Sequence, residues 1–178
     1  MPNWCNNGIT LRHEDPAMIQ RVMLGRANLL QEFIPCPAEL METTAQMGTN
    51  EQEKVNRDKY GYSSWYDWSI ANWGTKWDIS LDSVDNPDAN TVTASFESAW
   101  SPPIAAYERL MDLGFEIEAF YYEPGMQYVG KWADGVDEYY ELGGEDSSTV
   151  RESIGEELDD YFCISESMAE WEEENRED

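Results

Sequence analysis

The chain has 178 residues, the length of one domain or of one domain with an appendage, and its formal net charge is −26. Hydrophobic residues make up 41% and aromatic residues 13% of the chain, too many core-forming side chains for a disordered acidic polymer. The charge argues against direct binding of nucleic acid or of an anionic membrane, because an acidic protein releases no counterions from such surfaces.

The first half of the chain has alternating strand and helix patterns. Residues 8–12 (GITLR) alternate as a short strand, and Asp15 and Pro16 have the residue types of an N-cap and a first helical position. Residues 41–62 are polar and predict an exposed helix or an insertion. The aromatic segment 63–74 predicts a helix that ends at a glycine.

The pattern then repeats. Residues 76–82 (KWDISLD) alternate as a half-buried strand, 84–90 have the composition of a turn, and 91–97 alternate again, which together predict an antiparallel hairpin. Residues 101–103 (SPP) open a helix, and 115–122 alternate as a fourth strand.

The order β-α-(insertion)-β-β-α-β predicts an α+β fold of the ferredoxin-like type, an antiparallel sheet with its helices on one face. We expect a ferredoxin-like domain over 1–130, with a polar insertion at about 41–62, and an acidic C-terminal extension over 131–178. Residues 123–132 and 137–143 have the pattern of an added hairpin.

Four strings occur together in the chain: MPNWCNN (1–7), NWGTKWD (72–78), SAWSPP (98–103) and YYEPGMQYVG (121–130). Together they are similar to the YubB-type ferredoxin-like family of small proteins encoded on conjugative plasmids and bacteriophages. The resemblance implies a ferredoxin-like fold and a mobile-element origin. It implies no biochemical role and no catalytic residues.

Several residues in these strings are candidates for a polar pocket lined with indoles: Trp4, Trp73, Lys76, Trp77, Trp100 and Glu123. The alternative is that the tryptophans form core and the neighbouring Asn and Gly residues hold tight turns. The sequence leaves both interpretations open.

The residue types give no signature of an enzyme. His13 is the single histidine, and Cys5, Cys36 and Cys163 form no CxxC pair, which favours a reducing compartment. The phosphate-binding, dinucleotide-binding and nucleophile-elbow motifs are missing, and the acidic stretch 134–146 lacks the alternating ligands of a calcium loop. We therefore expect no enzyme activity, no cofactor and no metal.

Without a signal peptide or membrane-span pattern, we expect a protein of the bacterial cytoplasm.

The last 27 residues hold twelve acidic residues and one arginine. Thr149 with Glu152, and Ser167 with Glu170, fit capping boxes, and apolar residues such as Ile154 recur at helical spacing, so we expect helices that dock on the body. If the segment were mostly helical, it would span about 40 Å, with one carboxylate per ~3.4 Å, close to the phosphate spacing along one strand of B-DNA. The expected acidic binding surface consists of Glu152, Glu156, Glu157, Asp159, Asp160, Glu166, Glu170, Glu172, Glu173 and Glu174.

These features favour a mobile-element protein that imitates a nucleic-acid backbone and inhibits a host defence protein, such as a restriction or CRISPR effector, by filling its basic groove. The alternative is an adaptor that binds a protein through its aromatic face and uses the charge only for solubility. We expect a monomer, or a dimer that uses the aromatic half.

Overall fold

The computed structural model describes residues 2–43 and 51–175. Six strands form one sheet: β1 (Trp4–Arg12), β2 (Asp82–Asp88), β3 (Thr91–Ala99), β4 (Glu116–Glu123), β5 (Tyr128–Ala133) and β6 (Val136–Glu141). The strands lie in the order β2-β3-β1-β4-β5-β6, and every neighbouring pair is antiparallel.

The helices of the described residues are α1 (Pro16–Gly25), α2 (Leu29–Phe33), α3 (Ala38–Met41), α4 (Glu51–Tyr60), α5 (Trp65–Asn72), α6 (Ile104–Asp112), α7 (Val150–Ile154), α8 (Glu156–Phe162) and α9 (Ile164–Glu174). A single 3-10 turn, Arg26–Asn28, joins α1 to α2. No helix of the described part of the chain is long and apolar enough to cross a membrane.

The start of α1 follows from its first residues. The Asp15 side chain accepts a hydrogen bond from the backbone N–H of Ala17 (2.9 Å), and Pro16 occupies the first helical position, where its missing N–H costs nothing. Ile19 and Val22, three positions apart, face the sheet and are buried. The predicted N-cap is confirmed.

The first face of the sheet holds the larger core. Strand residues that share this face, such as Leu11 and Phe96, pack against buried side chains of α1, α2, α5 and α6, including Leu30 and Leu110. This apolar layer explains why β1, β3 and β4 alternate in sequence, since every second side chain enters the layer.

The opposite face holds a second core, beneath α7, α8 and α9. Its buried members are Val129, Leu142, Val150, Ile154, Leu158 and Ile164. Phe120 and Tyr122, which project from β4 on this face, pack against it together with Phe162. Residues 150–174 of the acidic segment are therefore a folded layer on the sheet and not a solvated tail.

The predicted ferredoxin-like arrangement is wrong, although the α+β class is correct. The hairpin of β5 and β6 extends the sheet to six strands, and α7, α8 and α9 cover the second face, so the helices do not lie on one face. The apolar residues at helical spacing in the acidic segment need a surface to cover, and the sheet supplies it. The expected division of the chain after residue 130 falls inside β5.

The strand expected over 76–82 is also wrong. β2 begins only at Asp82 and contains most of the segment 84–90 that has a turn composition. Ahead of it, the backbone of Ile79 accepts from Leu29 (3.1 Å) and the backbone of Leu81 donates to Arg26 (2.8 Å). The alternation in 76–82 thus reflects burial against the start of α2, and not pairing with β3.

In the polar stretch 41–62, α4 is the exposed helix, while residues 44–50 lie outside the described part of the chain.

The second core gives a direct stability prediction. Leu158→Ala should lower the free energy of unfolding by roughly 2–5 kcal/mol, because Leu158 is 4% exposed and its loss leaves a cavity between α8 and the sheet. Leu24→Ala, the same substitution at a side chain that is 88% exposed, should change it by about 0.5 kcal/mol or less. Urea unfolding of the two variants measures both values, and equal small effects would show that α8 is not docked.

Candidate binding surfaces

The described part of the acidic segment is helical, but it is not one continuous helix. Gly155, with φ of 85°, separates α7 from α8, and Cys163, in the left-handed conformation, separates α8 from α9. The longest of the three helices has 11 residues. The described part of this segment therefore has no continuous helix with one carboxylate per ~3.4 Å, and the acids form a surface and not a line.

Neither residue expected to open a capping box caps a helix with its side chain. Thr149 directly precedes α7 as expected, but its hydroxyl pairs with Asp146, and its side chain makes no capping bond to the helix. Ser167 lies inside α9, where its N–H donates to the carbonyl of Cys163 (3.0 Å), so it is not a cap.

Asp159 is 1% exposed, so its expected outward position is wrong. Its carboxylate accepts from the N–H and the hydroxyl of Ser165 (2.7 Å each) and from Arg151 Nη1 (2.8 Å). Although burial alone raises the pKa of Asp159, the bonds from Ser165 and Arg151 lower it on balance. This one carboxylate joins α7, α8 and α9.

Two cations hold the remaining acids of α8. Arg151 also contacts Asp160 (2.5 Å) and Glu156 (3.7 Å), and these carboxylates raise the pKa of its guanidinium. Lys131, on β5, bridges Glu118 (3.3 Å) and Glu157 (3.0 Å). Every acid of α8 is therefore in an ion pair that the structure describes.

The acids of α9 are different. Glu172 is half-buried and accepts from the N–H (2.9 Å) and the hydroxyl (2.7 Å) of Ser147, so it ties α9 to the loop before α7. Four others are exposed, and the described residues provide no hydrogen bond or ion pair to their carboxylates: Glu166, Glu170, Glu173 and Glu174. On α7, Glu152 is exposed in the same way. Within the expected acidic surface, the negative charge without a described counter-charge is thus concentrated on α9.

The structure divides the six residues of the expected aromatic pocket. Trp73 is buried, donates from Nε1 to the carbonyl of Ile34 (2.9 Å) and packs edge-on against Trp68, so it belongs to the core. Trp4 and Trp77 are 44% and 37% exposed, with ring centroids 6.0 Å apart. The indoles are therefore partly core and partly surface.

A cavity of about 280 Å³ is lined in part by the indoles of Trp65, Trp73 and Trp77. Lys76 also lines it, with Nζ 4.5 Å from the centroid of the Trp77 ring, the geometry of a cation–π contact. The structure therefore brings three of the six expected residues into one cavity.

The other three expected residues lie elsewhere. Trp4 and Trp100 are exposed outside the lining of the cavity, and Trp100 has a φ of 72°. Glu123 is buried and accepts from the backbone N–H groups of Gly125 (2.8 Å) and Met126 (2.6 Å), so it caps the turn between β4 and β5.

The other titratable candidates have structural partners. His13 accepts at Nδ1 from the N–H of Asp15 (2.9 Å), which assigns the proton to Nε2, 3.0 Å from the carbonyl of Leu113. Burial raises the pKa of the Cys5 thiol to about 12 and that of Cys36 to about 11, so both are protonated at neutral pH. Within the described ranges, no three His, Cys, Asp or Glu residues form a group that could hold a metal.

Sequence reasoning missed the two residues that organise the acidic layer. Arg151 and Lys131 are the only basic residues between 110 and 175, and a lone base among many acids is expected to attract several of them. The role of Arg151 and Lys131 could therefore have been predicted from the composition. The role of Ser165 could not, because a serine in an acidic run has no distinctive pattern.

Comparisons with known proteins identify no family for this chain. No family model matches the sequence, and no curated protein matches it either. A solved structure, the crystal structure of a protein Api92 from Yersinia pseudotuberculosis with the family model DUF1281, is 10% identical. The match covers 79% of this chain and 98% of the Api92 chain, with a TM-score of 0.44, too low to support an inference about fold or function.

The buried carboxylate of Asp159 predicts a pH-dependent contribution to stability. At pH 7, Asp159→Asn should lower the free energy of unfolding by roughly 1–3 kcal/mol, because Arg151 and Ser165 lose a charged acceptor. The folded-state pKa is lowered, so this contribution is complete above the unfolded pKa of about 3.9 and is lost as pH falls through the folded value.

Urea unfolding at pH 7 and at about pH 3 checks this prediction, since the difference between wild type and Asp159→Asn should shrink at the lower pH. Glu152→Gln is the matched control, because Glu152 is exposed on α7, and its effect should be small at both pH values. A difference for Asp159→Asn that stays constant with pH would contradict the assignment.

Proposed function

We propose that this protein acts by nucleic-acid mimicry: its acidic helical layer occupies the basic groove of a DNA- or RNA-binding protein and inhibits it. The observation that supports the proposal most is the sorting of charge between α8 and α9. The acids of α8 are in ion pairs with Lys131 and Arg151, whereas four acids of α9 are exposed without a described counter-charge. A basic groove supplies the missing cations.

The rigidity of the layer supports the same proposal. A disordered acidic tail loses conformational entropy when it binds, but α9 is already anchored by Ile164 in the second core and by Glu172 on Ser147. Its carboxylates are therefore held before a partner arrives. The net charge of −26 also accelerates the encounter with a basic surface, most strongly at low salt.

The proposed setting is the cytoplasm of a bacterial host. The resemblance of residues 1–130 to YubB-type proteins favours a plasmid or phage origin, and on such an element the proposed targets are nucleic-acid-binding defence proteins such as restriction or CRISPR effectors. The same negative field argues against direct contact with DNA or RNA and against close self-association.

A second candidate function is an adaptor that binds a protein through its aromatic face. It is favoured by the partial exposure of Trp4, Trp77 and Trp100 and by the cavity beside Trp77. Exposed indoles are typical of interface centres, where tryptophan is enriched among the residues that contribute most to affinity. In this case the acidic layer would not touch the partner.

Charge-neutralising variants separate the two functions. The variant Glu166→Gln, Glu170→Gln, Glu173→Gln and Glu174→Gln removes the exposed charge of α9 and leaves the second core intact. We expect it to lose at least about tenfold in affinity for a captured nucleic-acid-binding partner, equivalent to ~1.4 kcal/mol. Binding of the wild type should also weaken steeply between low and high salt. Pull-downs from bacterial lysate, followed by titration of the identified partner, measure both effects.

The matched control removes four exposed charges from the first half of the chain: Glu14→Gln, Asp58→Asn, Asp82→Asn and Asp85→Asn. It makes the net charge less negative by the same four units, so mimicry by α9 predicts a much smaller loss of affinity for this control. Substitution is preferable to truncation, because removal of α7, α8 and α9 would expose Val129 and Leu142, the two members of the second core outside these helices. Equal losses for both variants, or loss only with Trp77→Ala or Trp100→Ala, would refute the proposal.

A further inference from the structure

The outer strand β6 has an open hydrogen-bonding edge. It pairs with β5 in one unbroken register from Ala133↔Val136 to Tyr128↔Glu141. The turn between the two strands consists of Asp134 and Gly135, with φ of 51° and 80°, the left-handed pair of a two-residue hairpin turn. β6 is the last strand of the sheet.

The turn determines which backbone groups face outward. In a two-residue hairpin, the residues that flank the turn form a hydrogen-bonded pair, and pairing alternates from there. Val136, Glu138 and Tyr140 therefore bond to β5, and the N–H and C=O groups of Asp137, Tyr139 and Glu141 point away from the sheet. Over the described residues, these outward groups have no backbone or side-chain partner.

Contacts on both faces hold this edge in place. On the first face, Tyr121 Oη donates to Asp137 Oδ1 (2.6 Å), and the ring of Tyr139 lies 5.3 Å from that of Tyr128. On the second face, Tyr140 packs against the second core. The position of this edge is therefore set before any strand is added to it.

The opposite edge of the sheet is unsuitable for strand addition. β2 pairs with β3 through two register shifts, contains Pro87, and has Ser83 at a φ of 45°. Bulges and proline are the devices by which proteins block edge pairing. β6 has neither, so the two edges of one sheet differ in their capacity to accept a strand.

Charge decides which strand fits β6. Three of its six residues, Asp137, Glu138 and Glu141, are exposed acids, so a second copy of this strand is repelled. We propose that β6 adds an extended basic segment of a partner protein as a seventh strand. Asp137 and Glu141 share one face with Tyr139 between them, so the best segment has the pattern basic-x-apolar-x-basic.

This inference concerns a surface separate from α9 and does not depend on the proposed mimicry. The probe is an acetylated peptide TKTVTKT, titrated to about 1 mM against the full-length protein. When about 90% of sites are filled, amide hydrogen exchange at Asp137, Tyr139 and Glu141 should slow about tenfold, because each outward N–H then donates to the peptide. The amides of Glu138 and Tyr140, already bonded to β5, should change little.

Two controls test the role of charge. The acidic peptide TETVTET should give no protection. The double variant Asp137→Asn with Glu141→Gln should lower the affinity for TKTVTKT about fivefold, because it removes the two charges that pair with the lysines. The Asn side chain still accepts from Tyr121, so the contact that holds the edge is kept. The matched variant Asp82→Asn with Asp88→Asn, on the β2 edge, should leave the affinity unchanged. Absence of protection on β6 with TKTVTKT, equal protection by TETVTET, or protection of the β2 edge instead would overturn the proposal.

Discussion

Burial of apolar side chains between the sheet and the last three helices is the constraint on which the acidic surface depends. Each fully buried side chain of the second core, such as Ile154 or Leu158, contributes about 1.5–3 kcal/mol, whereas an exposed ion pair contributes ~0–1 kcal/mol. The six apolar residues therefore contribute more to the docking of the three helices than the ion pairs of the layer do. Without the second core, the same acids would form a solvated tail.

Two cations then decide how the charge is distributed over this layer. Arg151 and Lys131 are both directed at α8, where they meet Glu156, Glu157, Asp159 and Asp160. Helix α9 lies one left-handed residue further along the chain and receives neither cation. The result is one helix, α8, whose acids stabilise the layer, and another, α9, on which Glu166, Glu170, Glu173 and Glu174 have no described counter-charge.

The sequence predicted features that depend on local rules. Alternation identified β1, β3 and β4, and the Asp15–Pro16 pair marked the start of α1. Alternation failed at 76–82, because burial against α2 and burial in a sheet select the same apolar pattern, and the hydrogen-bond partner is not encoded locally. The break at Cys163 was equally hidden, since a cysteine in the left-handed conformation has no sequence signal.

The candidate site was predictable in composition but not in geometry. The acidic residues were identified as a group, yet the buried role of Asp159 requires Arg151 and Ser165 to converge from two other helices, which spacing along one helix does not reveal.

The most direct test of the central claim is competition: a partner loaded with a labelled oligonucleotide is titrated with this protein. Mimicry predicts that the oligonucleotide is displaced as the protein binds, whereas a stable complex of all three would contradict it.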